Sequence, residues 1–209
     1  MAAEMSAHPN TSETAKPWVS WLLFGIIGAP MALAYFIYAT GWGIPTGTVN
    51  RGDLLLPATS ITALNINDSQ GSSLNLWEGK KRWRMLIVGD NYCADQCRDM
   101  LYLTRQVHIR LGEKARRVER VFLNVDGNYS QELLQTLQRD HPKLVAATTS
   151  LGEWQDTLAS TNGAEHQADG ARVYLVDQEG FAMMSFDDGH EGADLLEDIK
   201  RLLKYSYED

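Results

Sequence analysis

The sequence is poor in cysteine, with two in 209 residues, Cys93 and Cys97. Two cysteines exclude a disulfide scaffold and a four-cysteine zinc site, but they leave room for one functional pair. An excess of cations is also missing. Lys and Arg number 19 against 27 Asp and Glu, a formal net charge of -8, and no basic stripe is visible, which argues against nucleic acid as a partner. Lys114, Arg116 and Arg117 are bracketed by Glu113 and Glu119 and read as part of a solvated loop. The chain has no Gly-rich phosphate loop, HExxH motif or serine-triad motif. It has no internal repeat and no low-complexity tract.

Charge is absent altogether between Lys16 and Arg51. Within that span the stretch from Trp18 to Tyr38 is almost wholly apolar. As a helix rising about 1.5 Å per residue it would cross a hydrocarbon core of roughly 30 Å. Trp18 and Trp21 stand at one end and Tyr35, Tyr38 and Trp42 toward the other, as aromatic residues do at membrane interfaces. Pro30 is expected to kink the helix, which a membrane span tolerates. The rival reading is a signal peptide cleaved near Ala32-Leu33-Ala34. The apolar run continues past that point, which favours an anchor. The flanking Lys16 and Arg51 do not fix its orientation. The organisation predicted is a disordered tail over 1–16, a transmembrane helix over 17–41, a Gly- and Pro-bearing linker over 42–58, and a folded domain over 59–209.

In that domain strands and helices alternate. Ile61–Ile66 alternates as a strand, Asp68–Gly71 reads as a turn, and Ser73–Leu76 as a returning strand. Met85–Val88 is a continuous apolar run, the pattern of a strand buried on both faces. Met100, Leu103, Val107 and Leu111 recur at helical spacing from about Ala94 to Gly112. Val118–Val125 is a strand. Ser130 caps a helix that His141-Pro142 stops, Leu144–Ala147 is a short strand, and Gly152–Ser160 is a weak helix. Val173–Val176 and Ala182–Phe186 form a hairpin. Leu195, Leu196, Ile199, Leu202 and Leu203 mark one face of a closing helix. This order predicts an α/β thioredoxin-like fold.

The chemically distinctive stretch runs from Gly89 to Cys97, where a buried strand passes into an amphipathic helix. A helix start presents unpaired N–H groups and partial positive charge, which lowers a thiol pKa. Cys93 at the helix mouth is the expected nucleophile, with Cys97 one turn inside. In helical geometry their Cα atoms would stand roughly 6 Å apart, compatible with a disulfide or a shared soft metal, copper(I) or zinc. Asp90 and Asp95 are read as helix-start caps. His108, His141 and His190 are read as structural or solvated, and Met183 and Met184 as packing.

In these stretches the chain resembles the Sco/SenC family of membrane-anchored copper-handling proteins. The resemblance covers about residues 60–205. It rests on Asn65–Gly71 leading to Trp77-Glu78-Gly79-Lys80, on Cys93-Ala94-Asp95-Gln96-Cys97, on Val121–Asp126, and on Tyr174–Asp177 with Gly180. Ala94 stands where that family has proline after the first cysteine. Asp169 stands where it has a histidine ligand, and His166 lies three residues earlier. The resemblance implies a thioredoxin-like domain that assists cytochrome c oxidase assembly. It implies copper bound by Cys93 and Cys97, with His166 or Asp169 as a third donor. The implied partners are a membrane oxidase subunit or another copper or thiol protein. The expected setting is a bacterial inner membrane with the soluble domain in the periplasm. Two other functions fit the same residues: a thiol-disulfide oxidoreductase in which Cys93 attacks and Cys97 resolves, and a non-catalytic assembly scaffold.

Overall fold

The computed structural model describes residues 17–41, 49–166 and 170–206. The chain divides into two compact units, Met1–Thr48 and Val49–Asp209. The first contains helix α1 (Pro17–Thr40), 24 residues with Pro30 inside it and no acidic or basic residue in its end turns. The helix stops where Gly41 takes a positive φ of 66° and donates its N–H to the Ile37 carbonyl at 2.8 Å, a left-handed terminator that glycine adopts without steric cost. Trp18, Trp21, Phe24, Ile26, Ile27 and Met31 are exposed on α1. The described side chains of α1 run unbroken only over 24–40. Among the described residues, no helix is long and apolar enough to cross a membrane.

The second unit is built on seven strands: β1 (Asp53–Ser60), β2 (Asn67–Asp68), β3 (Trp83–Gly89), β4 (Val118–Asn124), β5 (Leu144–Thr148), β6 (Arg172–Val176) and β7 (Phe181–Phe186). They form one mixed sheet in the order β1-β7-β6-β3-β4-β5-β2. The helices are α2 (Asp95–Arg110), α3 (Gln131–Asp140), α4 (Leu151–Leu158) and α5 (Gly192–Tyr205), with short 3-10 helices at Gly112–Arg117 and Asn162–His166. β3 is parallel to β4 on one side and antiparallel to β6 on the other. It is therefore central, which is why its sequence is apolar on both faces. Met85 and Ile87 enter one core with Met100 and Val107 of α2, Leu133 of α3 and Leu195 and Ile199 of α5. Leu86 and Val88 enter the other with Ile61, Ile66, Trp154 of α4 and Tyr174. Ser130 caps α3 by accepting from the Leu133 N–H, and Ser150 caps α4 by accepting from the Glu153 N–H.

Three expectations differ at the amino end of this unit. Residues 53–58, expected in the linker, belong with Thr59 and Ser60 to edge strand β1 against β7. Pro57 concealed it: proline donates no ladder hydrogen bond, so it is tolerated at an edge, and the register shifts between Leu54 and Thr59 around it. The lead-in is fixed by Asp198 of α5, 1% exposed, whose Oδ2 accepts from the N–H groups of Arg51 at 2.8 Å and Gly52 at 3.0 Å. Gly52 packs so closely that a Cβ would come within 2.4 Å of the Phe186 ring. Residues 61–66 are not a strand. Ile61 and Ile66 are buried, but a turn joins them, with the Leu64 N–H donating to the Ile61 carbonyl. The expected returning strand over 73–76 is reduced to an isolated bridge between Asn67 and Ser73, and β2 pairs with β5 instead.

Candidate thiol and metal site

Gly89 ends β3 at the point of closest packing beneath the cysteines. A Cβ there would lie 3.1 Å from the Phe122 ring and 3.3 Å from Cys97 Sγ. The chain then turns, and Cys93 adopts a φ of 37°, in the left-handed region that costs a non-glycine residue about 1–2 kcal/mol. Its N–H donates to Asp90 Oδ1 at 2.9 Å, and its carbonyl accepts from Arg98 at 2.9 Å. α2 begins at Asp95, so Cys97 is its third residue and Cys93 lies outside it. The two are joined by a disulfide with Cα atoms 5.0 Å apart. That is shorter than the helical expectation because Cys93 is folded back before the helix starts. Both residues are 3% exposed.

The aspartates do not cap α2 as expected. The N-cap is Ala94, with no side-chain cap. Asp90 shapes the preceding turn through Cys93, and Asp95 sits in the first turn and pairs with Arg98. The three helix-start N–H groups at Asp95, Gln96 and Cys97 therefore face the disulfide end without a side-chain acceptor from Ala94.

A cavity of about 290 Å³ opens beside the disulfide. Gly89, Cys97, Asp126, Trp154, Arg172 and Tyr174 line it, and Cys93 does not. Trp154 and Tyr174 meet edge to face at 5.0 Å, and burial pushes the Tyr174 hydroxyl up to about 12. Arg172, 5% exposed, pairs with Asp187 at 3.1 Å. Burial alone would raise the Asp187 carboxyl. The hydrogen bonds from His190 and the Gly189 N–H, with the Arg172 charge, outweigh it and hold the group below the usual carboxylate range.

The polar frame of the site is centred on Asn91. Its Oδ1 accepts from Asn124 Nδ2 at 2.8 Å and from the Ser130 N–H at 2.7 Å, and its Nδ2 donates to the Asn128 carbonyl at 2.8 Å. The Asn91 N–H donates to Asp126 Oδ2 at 2.8 Å, and the Asp126 N–H donates to Asn124 Oδ1 at 2.8 Å. One amide thus ties the loop after β3 to the loop after β4. Sequence reasoning did not single out Asn91 or Asn124. The signal present was an asparagine closing the apolar run Val121-Phe122-Leu123.

Of the sequence-predicted site residues, Cys93 and Cys97 are brought into covalent contact. His166 ends the 3-10 helix Asn162–His166, and its side chain lies outside the described residues, as does Asp169. Gly170, with φ of 94°, abuts the site: a Cβ there would fall 1.9 Å from Gln96 Oε1. His108 Nε2 donates to the Val118 carbonyl at 3.1 Å, and His190 Nδ1 donates to Asp187 Oδ1 at 2.8 Å and packs its ring on Phe186. Asp53, Asp187 and His190 are the one group of three metal-capable side chains among the described residues. Arg172 already occupies Asp187 there, so it reads as an ion-pair cluster. Met184 is core, and Met183 packs against that core.

A family model described as transmembrane-like, thioredoxin-like, C-terminal domain matches residues 83–206. Among curated proteins, none matches the sequence. The solved structures similar to this chain include yeast Sco1 with copper bound, at 17% identity and a TM-score of 0.55, covering 77% of this chain and 97% of that one. Apo Sco1 from Thermus thermophilus is similar at 18% identity and a TM-score of 0.57, covering 75% and 99%. BsSco, described with a disulfide switch and as a member of the Sco family of cytochrome c oxidase assembly proteins, is similar at 14% identity and a TM-score of 0.55, covering 76% and 99%. At these identities the likeness shows the fold, which is the thioredoxin-like fold of the Sco proteins.

Proposed function

The chain belongs to the transmembrane-like, thioredoxin-like C-terminal domain family, and from that membership, the cysteine pair and the likeness to Sco structures we propose that it is a membrane-anchored protein that handles thiols and copper at Cys93 and Cys97 during cytochrome oxidase assembly. The observation that carries the reading is the Cys93–Cys97 disulfide at the β3-to-α2 junction, with Cys97 lining a cavity. In the oxidised form the pair binds no metal. Reduction proceeds by thiol exchange. A partner thiolate attacks one sulfur of the pair, the S–S bond breaks, and its electron pair leaves on the other sulfur, which takes up a proton. A second partner thiol, deprotonated, then displaces the mixed disulfide. Both cysteines end reduced and the partner ends as a disulfide. Cys97 borders the cavity, so it is the sulfur an incoming thiolate reaches. This reverses the roles assigned from the sequence.

The reduced pair offers two soft donors that suit copper(I) as cargo, and the positive end of α2 stabilises them as thiolates. Among the described residues no third metal-capable group stands with the cysteines. A third donor would come from His166 or Asp169, in the segment that returns at Gly170 beside Gln96. In this reading the anchor is drawn from the sequence, the charge-free run from Trp18 to Tyr38 that lies within α1, on which Trp18, Trp21, Phe24, Ile26, Ile27 and Met31 are exposed. In the same reading the second unit stands on the periplasmic side of a bacterial inner membrane, an oxidising compartment that suits such a disulfide, beside an oxidase subunit or another copper or thiol protein.

The test is copper(I) titration of the reduced full chain in non-ionic detergent, beside a Cys93→Ser/Cys97→Ser control. One ion per chain, lost in the control, is expected; binding no greater than the control sinks the copper reading. A second reading, thiol-disulfide exchange alone, draws on the standing disulfide and predicts reversible redox titration without copper uptake. Failure of both leaves a scaffold.

A further inference from the structure

The basic residues that look scattered in sequence converge at the end of the sheet opposite the disulfide. Two adjoining cavities, of about 800 Å³ and about 400 Å³, share His108, Arg120 and Lys143. The larger adds Arg116, and the smaller adds Arg105 and His141. Among the described residues the only acidic one lining either is Glu119, which is engaged by Arg82 at 3.4 Å and Arg84 at 3.3 Å. In a chain of net charge -8 such a concentration of positive charge is against the trend.

Arg120 is the decisive group. It is 3% exposed, yet its hydrogen bonds go to neutral acceptors: Nε to Thr104 Oγ1 at 3.2 Å, and Nη2 to Thr104 Oγ1 at 3.0 Å and to the Leu101 carbonyl at 2.7 Å. A buried guanidinium without an anionic partner is costly to the fold. Burial and the neighbouring Arg105 charge lower it to about 10, which still leaves it charged at neutral pH. His141 Nδ1 is buried beside it with no hydrogen-bond partner. Arg105 and Lys143 are exposed at the rim. A buried, uncompensated guanidinium with exposed Arg105, Arg116 and Lys143 around it and an unpartnered His141 Nδ1 beside it matches an oxyanion, which cations engage through charge-assisted hydrogen bonds.

We propose that this cavity is a binding site for a phosphate group, centred on Arg120, which pairs with Met85 four residues, or about 13 Å along β3, from the Gly89 end beneath the cysteines. The group is either a free phosphate or the headgroup of an anionic phospholipid. The site does not depend on the thiol chemistry, and a Cys93→Ser/Cys97→Ser chain keeps it. In the sequence Arg116 reads as part of a solvated loop, because Arg105, Arg120 and Lys143 come from α2, β4 and the turn before β5.

The test is calorimetric titration of the full chain in non-ionic detergent with inorganic phosphate and, separately, with short-chain phosphatidylglycerol. An Arg105→Glu/Lys143→Glu chain is run alongside. Both substituted residues are exposed, so folding is retained, and circular dichroism checks it. Saturable binding at one site per chain, weakened at least about tenfold in the double variant and by raised salt, is expected. Tighter binding of phosphate than of the lipid assigns a free phosphate, and the reverse order assigns a headgroup. No saturable binding of either probe, or binding unchanged by the double charge reversal, overturns the proposal.

Discussion

Replacing Asn91 by alanine tests whether one amide holds the thiol loop in place. The substitution removes three short hydrogen bonds, to Asn124 Nδ2, the Ser130 N–H and the Asn128 carbonyl. At a net value near 1 kcal/mol each, the loss is about 3 kcal/mol. Asn124 is fully buried, so its orphaned amide adds to the cost, while water entering from the half-exposed Asn91 position offsets part of it. A net loss of about 3 kcal/mol corresponds to a shift in melting temperature of about 6–12 °C for a domain of this size. Asn91→Asp keeps the two acceptor contacts and loses only the donation to Asn128, so it should fall between wild type and Asn91→Ala. The assay is urea unfolding in non-ionic detergent followed by tryptophan fluorescence, with Asn124→Ala and the Asn91→Ala/Asn124→Ala pair completing a cycle. The double variant should cost clearly less than the sum of the singles, because the two amides share a bond. A loss below about 0.5 kcal/mol for Asn91→Ala, or strict additivity, would refute the reasoning.

Asp198→Ala removes the acceptor for the Arg51 and Gly52 N–H groups and should cost about 2–4 kcal/mol; hydrogen exchange should show β1 amides losing protection before those of β3, and equal loss in both strands would count against it. Burial lowers the His108 pKa, more than its backbone bond to Val118 raises it. The unfolded chain therefore binds the proton more readily, and this group erodes stability as pH falls below the unfolded value of about 6.5 until the folded value is passed. His108→Gln should flatten that part of the stability-versus-pH curve, and an unchanged slope from pH 7 to 5 would contradict it. Gly170→Ala forces a Cβ onto Gln96 at a φ of 94°; it should destabilise by at least about 1–2 kcal/mol and alter the rate at which dithiothreitol reduces the disulfide, whereas a neutral result in both would show that Gln96 simply moves aside.

The parts of the fold readable in advance were those whose cause is local. Met85–Val88 is apolar throughout because it lies between β4 and β6, and the five apolar positions of α5 recur on one face because that face covers the core. Ser130 announced α3 because a cap is a matter of three residues. β1 was hidden because its evidence is distant: Leu55 is buried by packing against elements far along the chain, and Asp198 pins the lead-in across 146 residues. Residues 61–66 read as a strand from their mixed apolar and polar pattern, but Ile61 and Ile66, five residues apart, would face opposite sides of a strand, and a turn brings both into the same core. At the site, the cysteines stood out because strand, turn and helix are contiguous there. Their relative exposure did not, since the cavity that reaches Cys97 is closed by Trp154 and Arg172 from other elements. The Asn91–Asn124 pairing joins two loops, and no periodicity in either loop encodes it.

The Cys93–Cys97 bond closes a ring of only five residues. In chain-entropy terms such a small ring removes little freedom from the unfolded chain, worth about 2 kcal/mol at 25 °C, against about 3 kcal/mol for a 15-residue ring. The cysteines are also neighbours by virtue of the turn before α2, where Asp90 accepts from the Cys93 N–H, Asp126 from the Asn91 N–H and Asn91 from Asn124, none of which involves the S–S bond. Opening it leaves the sheet and both cores with nearly all of their support. A cross-link so weakly coupled to global folding can be made and broken repeatedly at constant architecture, which a structural disulfide spanning half the domain could not.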